Sequence, residues 1–376
     1  MGSVQKASTP SYIQTYLETT ERKEESILFM DLGKLTNLYN IWVTKFQNIV
    51  PFYAVKCNPN PVCLAHLAQL GANFDCASLH EINTVLSHGV DPVRIIYANP
   101  CKRERDIIEA YHKGITLTTF DTVCELEKIA RVCPEMHCVL RIYAKDPEAR
   151  CQFAHKFGCP PEEWCNILQT AQKYNLNIVG ISFHVGSGAS SGKAYYNAIK
   201  SARSFYDLAA TYGYHLKLLD LGGGFVSNDL KDIPEQIQTA LHTFFPEDTN
   251  CSFIAEPGRF FMETIGTLAT PVIGIRKTQT TRDYWITDSL YGSFNCVFYD
   301  HYTPIPKTLK TTPTYKTTFY GPTCDGLDKI IELDFPELNQ HDWVIWENMG
   351  AYTLSGACNF NGIPFLNTHH EYFNLP

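Results

Sequence analysis

The chain is 376 residues long, 44% hydrophobic and 19% charged, with a formal net charge of -8. That length exceeds the usual reach of one hydrophobic core, so two domains or one large barrel are expected. The acidic balance argues against the basic patch that nucleic acid or an anionic membrane surface requires.

Fourteen cysteines are scattered, with no C-x-x-C pair and no Cys/His cluster, so no metal site is expected. They read as reduced thiols of a cytoplasmic protein. The N-terminus has no apolar leader, and Lys6 stands where a myristoylation signal needs Ser or Thr. No apolar run approaches the ~18 residues that span a bilayer.

In chain order, residues 1–24 are expected to form a flexible terminus. ILFMD (27–31) reads as a strand, within a segment 25–35 that could join a later sheet, and 33–46 has helical spacing. Eight short apolar runs follow, at 50–56, 73–76, 94–98, 116–120, 138–143, 178–184, 216–221 and 252–256. Between them lie helical patterns at 62–70, 81–88, 103–113, 123–132, 161–174, 192–212 and 233–244. A doubly wound sheet also alternates in this way, but eight successive units favour closure into a (β/α)₈ barrel over 36–265. From 266 to 376 the pattern becomes β-rich, with strand-like runs at 268–275, 283–287, 317–320 and 342–345.

Barrel chemistry sits where strands end. Here those ends read Lys56, Asp75, Asn99, Asp121, Arg141, His184, Gly222-Gly223-Gly224, and Glu256 with Arg259. A lone lysine closing an apolar run is ordinarily a snorkelling rim residue, and a lone histidine a satisfied core residue. Their company changes that reading. Glycines after the seventh strand, Gly258-Arg259 after the eighth and Ser187 after the sixth make a phosphate cup facing a lysine. A Schiff-base cofactor with a phosphate arm needs that arrangement. Glu256 suits pyridoxal 5'-phosphate, because a carboxylate at the pyridine nitrogen keeps it protonated. A rim salt bridge to Arg259 is its bland alternative.

PFYAVKCN (51–58), FDCAS (74–78), ANPCK (98–102), SFHVGSG (182–188), DLGGGF (220–225) and AEPGRFF (255–261) occur in order along the barrel. YGSFNCVFYDH (291–301), GPTCDGLD (321–328) and NMGAYT follow in the second region. This series resembles the eukaryotic-type ornithine decarboxylases over about residues 25 to 365. The resemblance implies an alanine-racemase-like barrel with a β domain, and a head-to-tail homodimer whose active sites lie at the interface. It implies that Lys56 binds the cofactor covalently and that Ser187, Gly223, Gly224, Gly258, Arg259 and Tyr352 hold its phosphate. Glu256 would meet the pyridine nitrogen and His184 stack on the ring, with Asp75, Glu81, Arg141 and Lys156 lining or bracing the site. Cys324 would protonate the α-carbon, while Tyr299, Asp300 and Asp325 receive the distal end of the substrate from the neighbouring chain.

Ornithine is the substrate expected, since a viral relative with glutamate at the Asp300 position prefers arginine. Lysine or arginine decarboxylation remains an alternative, as does an inactive, antizyme-inhibitor-like regulator. The sequence ends at Pro376 without the long tail of the animal enzymes, so antizyme control is not implied.

Overall fold

The computed structural model describes residues 10–152 and 155–374. The chain divides into two units, Thr36–Phe261 and the pair of segments Met1–Leu35 and Met262–Pro376. The strands, in chain order, are β1 (Ile27–Asp31), β2 (Ile49–Ala54), β3 (Asn73–Cys76), β4 (Ile95–Tyr97), β5 (Leu117–Phe120), β6 (His137–Arg141), β7 (Asn177–Ser182), β8 (Leu218–Asp220) and β9 (Ser252–Ala255). They continue as β10 (Gly266–Lys277), β11 (Thr281–Ile286), β12 (Pro306–Lys307), β13 (Thr314–Tyr320), β14 (Lys329–Pro336), β15 (Trp343–Glu347) and β16 (His369–Phe373).

Strands β2 to β9 close into a parallel barrel. Each of the eight apolar runs forms a stave, because a parallel strand covered by helices on one side and core on the other needs near-continuous apolar sequence. The helices between staves start on local signals. Asn60 accepts the N–H groups of Val62 and Cys63 ahead of Pro61–Leu70, Ser78 accepts that of Glu81, and Thr122 that of Glu125. Trp42, on the helix Leu32–Lys45, is fully buried against Phe46, Phe225 and Phe260, and its indole N–H donates to the Ile49 carbonyl.

Register explains what fills the barrel. Paired residues on adjacent staves share a face. Phe52, Ile96 and Ile254 form an apolar plug with Ala98, Leu117 and Leu218. The row containing Ile254 runs across through Asp220 and Ser182 to Arg141, while Asp75 pairs with Ile96. Above an apolar floor the interior therefore turns polar on the same faces.

The other unit is an eight-stranded sheet in the order β12-β15-β10-β11-β13-β14, with β1 on β10 and β16 on β1. ILFMD is a strand of this sheet, antiparallel to β10. Residues 1–9 lie outside the described residues, but the loose terminus expected up to 24 is corrected beyond them. Ser11–Thr19 is a helix whose Ile13 and Leu17 are buried with Ile27, Phe29 and Ala269. Tyr12 and Tyr16 pack against the same cluster, so the apolar stripe covers only about two turns, too short for a period to stand out in the sequence.

Candidate active site

Lys56 lies in a single 3₁₀ turn, Val55–Cys57, directly after β2. Val55 and Cys57 are buried on either side, which turns Lys56 into the site with its side chain 42% exposed. Its Nζ lies 2.5 Å from Oδ2 of Asp75, whose carboxylate is fully buried on β3. The sheet supplies that carboxylate through the Ala54–Asp75 register. An amine held at its tip, accessible yet charge-paired, suits reversible covalent attachment.

Further charged or titratable groups line the same barrel. Enclosure by the barrel pushes the Glu256 carboxyl well up, and the neighbouring carboxylates Asp220 and Asp75 add to the effect. Burial also lowers the Arg141 guanidinium, with Glu256 the strongest opposing influence. His184 is held well below the usual imidazole range by burial and then by Arg141 and Lys56, so it is neutral near pH 7. Its Nδ1 accepts the Gly186 N–H at 3.0 Å, which fixes the ring's orientation and leaves its face free of charge. Glu81 plays a bracing part: its Oε2 accepts the Ala77 N–H at 2.6 Å while its own N–H goes to Ser78. Together these two bonds hold the turn after β3.

The phosphate-sized cradle is made of backbone. Gly224 has φ +113°, and a Cβ there would lie 2.6 Å from both the Gly186 carbonyl oxygen and the Tyr195 hydroxyl. At Gly222, φ +62°, the clash with the Phe183 carbonyl would be 2.0 Å. Only glycine fits both the angle and the space. Buried Arg259 donates from Nη2 to the Ser187 hydroxyl at 3.0 Å, bringing together the loops after β7 and β9. Gly258 immediately precedes it. A guanidinium, a hydroxyl and close-approach glycines fit a phosphate, and Lys56 and Glu256 fit the two reactive ends of a pyridoxal ring.

Lys156 stands over the Phe157 ring at 5.0 Å, and Arg141 contacts the same ring at 5.2 Å. Asn99 and Asp121 turn to structural work, donating to the Ala77 carbonyl and accepting the Gly158 N–H respectively. The remaining expected residues belong to the sheet unit. Tyr352 adopts φ +53°. Cys324 is exposed, and its N–H and Sγ both reach Oδ1 of Asn361, at 3.1 and 3.3 Å. Asp325 accepts the Tyr291 hydroxyl. Tyr299 is 79% exposed, whereas Asp300 is buried. Sequence reading passed over Asp220 and Ser182. The alternation of LLD and of NIVGIS places both on the inner face, and that was the available signal.

A barrel that brings together a lysine, close-approach glycines and a carboxylate fits a pyridoxal-phosphate enzyme. Residues 32–263 match the pyridoxal-binding domain of the pyridoxal-dependent decarboxylases. The chloroplastic ornithine decarboxylase of Nicotiana glauca is 43% identical over 360 residues, covering 90% of this chain and 82% of the relative. Antizyme inhibitor 2 of Xenopus laevis is 38% identical, covering 94% and 82%. Among solved structures, the Paramecium bursaria Chlorella virus arginine decarboxylase bound to agmatine superposes with TM-score 0.91 at 36% identity, covering 97% and 100%. The Vibrio vulnificus lysine/ornithine decarboxylase complexed with putrescine gives 0.88 at 31%, covering 97% and 98%. The chain belongs to the pyridoxal-dependent ornithine/arginine decarboxylase family, and its cofactor is pyridoxal phosphate.

Proposed function

We propose that the protein decarboxylates L-ornithine to putrescine, a step of polyamine biosynthesis. The observation that carries this reading is the complete set Lys56, Asp75, Arg141, His184 and Glu256 in one barrel of a chain 43% identical to an ornithine decarboxylase. The cofactor, when bound, supplies the electron sink that makes loss of CO₂ feasible. Lys56 would hold it covalently, and Arg259, Ser187, Gly223, Gly224, Gly258 and Tyr352 would hold its phosphate. Glu256 would accept the hydrogen bond of the protonated pyridine nitrogen, and the neutral imidazole of His184 would lie against the ring. Cys324 Sγ would donate the proton that the α-carbon takes in place of the carboxylate. Asp300, Asp325 and Tyr299 receive the distal ammonium, a charge that a carboxylate binds strongly in a confined site.

Cys324, Tyr299 and Leu327 support a shared site in a homodimer. They crowd one region of sequence with large exposed apolar groups, Tyr299 at 79% and Leu327 at 77%. A cavity of about 400 Å³ lies among Tyr291, Phe298, Tyr299, Asp325 and Leu327. Among the described residues no helix is long and apolar enough to cross a membrane. We place the enzyme in the cytoplasm.

Side-by-side assays with ornithine, lysine and arginine test the substrate. Ornithine should lead lysine by roughly 10–200-fold in kcat/KM, the usual worth of one methylene. Arginine or lysine leading would overturn the assignment. The second reading is an inactive regulator, favoured by the antizyme inhibitor relative. It requires a purified protein without cofactor absorbance and without turnover of any of the three.

A further inference from the structure

Beneath the cofactor cradle lies a row of polar side chains that the proposed chemistry does not use. Asp220 ends β8, is fully buried, and pairs in register with Ser182 on one side and Ile254 on the other. Its Oδ1 accepts the Gly222 N–H at 2.9 Å, which sets the first bend of the glycine turn. Its Oδ2 has no hydrogen-bond donor among the described residues. Ser182 Oγ and Thr119 Oγ1, on the same inner faces, are likewise without partners there.

What Asp220 does meet is another carboxyl, that of Glu256. The backbone pins the two together, since the Glu256 N–H donates to the Gly222 carbonyl at 2.7 Å and the Leu221 N–H to that of Ile254 at 2.9 Å. Two ionised carboxylates in one dry pocket repel, and neither can offer the other a hydrogen bond. One proton between them converts the repulsion into a short-range attraction. The charged groups around the pair are Asp75, which opposes ionisation, and Arg141 and Lys56, which favour it. His184 is neutral there.

We propose that Asp220 is a positioning residue for the cofactor: it keeps a proton on Oδ2 and donates it to Glu256, leaving Glu256 ionised and aimed at the pyridine nitrogen. This rests on the reading of Glu256 as the partner of that nitrogen. The positive ring nitrogen draws the pair's negative charge onto Glu256, so the proton stays with Asp220. Burial raises Asp220 to about 7 before any cofactor is considered, even though the Gly222 N–H and the Glu256 carboxyl, its hydrogen-bonding neighbours, draw it down and only Asp75 adds to the rise. Treated as a pair, the two carboxyls titrate together, so the observable is a macroscopic step.

The test compares Asp220→Asn, whose amide still donates but cannot titrate, with Asp220→Ala, which does neither. In the holoenzyme, the dissociation constant for pyridoxal phosphate should stay within about threefold of wild type in the Asn variant. In the Ala variant it should weaken about tenfold or more, the worth of one hydrogen bond to a charged group. In the apo-protein, the melting temperature supplies a readout independent of turnover. An acid whose folded pKa is raised loses stability as pH rises from its unfolded value near 4 through about 7. Asp220→Asn should flatten that decline.

Equal cofactor loss in both variants, or an unchanged pH dependence of melting in Asp220→Asn, overturns the proposal. If the Ala variant does not fold, the Asn melting profile decides alone. Glu256→Gln separates the two claims. Normal cofactor affinity and turnover in Glu256→Gln sink the reading of Glu256 itself. An impaired Glu256→Gln beside a normal Asp220→Ala sinks only the role of Asp220.

Discussion

The barrel and the sheet unit hold their chemistry in opposite ways. In the barrel, each functional group is fixed by strand register or by a backbone conformation that permits one residue type, as at Gly222 and Gly224. In the sheet unit, buried carboxylates anchor a loop whose tip faces outward. Asp328 accepts the Ser289 hydroxyl at 2.9 Å, the Leu290 N–H at 2.9 Å and the Thr323 hydroxyl at 2.6 Å. Cys324 and Asp325 follow that anchored base, with Cys324 held by Asn361, itself at φ +55°. A pre-formed cavity can bind a cofactor by itself. The Cys324 thiol is exposed and the Asp325 carboxylate partly so, and the role proposed for them needs a second surface to enclose them.

That contrast sets an order of expected effects. Lys56→Ala should be the most severe, abolishing the cofactor's covalent absorbance band and reducing turnover by about 10³-fold or more. It also strips Asp75 of its cation in a fully buried place, so the apo-protein should melt lower. An unchanged spectrum in this variant would falsify the cofactor geometry. Cys324→Ala should spare both cofactor binding and the melting temperature, because the side chain is exposed. With Cys324 as the proposed proton donor, turnover should fall by about 10²-fold, and misplaced protonation should yield an aldehyde by-product. Clean putrescine at the wild-type rate would remove Cys324 from the reaction and dissolve the comparison.

Legibility followed the same division. The staves could be read because buried parallel strands are apolar throughout, and the polar residues closing them stand out against that background. The glycines of DLGGGF were legible, while the aspartate opening the motif was not, since a short strand ending in a carboxylate looks like a turn until register shows its inner face. In the sheet unit, β14 was passed over because the charges of KIIELDFP, at 329, 332 and 334, interrupt a regular alternation and the run ends on proline. In β16, HHEYF is half-buried along its whole length and so carries no apolar alternation. The helix Ser11–Thr19 and the capping work of Glu81 depend on partners distant in sequence or on a single local hydrogen bond. Periodicity detects neither.

The smallest expected effect lies in the loop anchor and separates burial from catalysis. Asp288 is fully buried, and burial raises its carboxyl to about 6 even though the Ser289 and Ser293 N–H groups, at 2.7 and 2.8 Å, favour the ionised form. The folded pKa exceeds the unfolded value near 4, so Asp288 costs stability progressively as pH rises from about 4 through 6. At most this amounts to roughly 3 kcal/mol, and relaxation of the loop will reduce it. Asp288→Asn keeps the acceptor Oδ1 for both N–H groups and removes the titration. Its melting temperature should therefore drop less than that of wild type between pH 5 and 8, with cofactor affinity unchanged. A steeper decline in the variant would mean that the ionised Asp288 is what holds the loop, and the anchor would then be electrostatic rather than a matter of backbone hydrogen bonds.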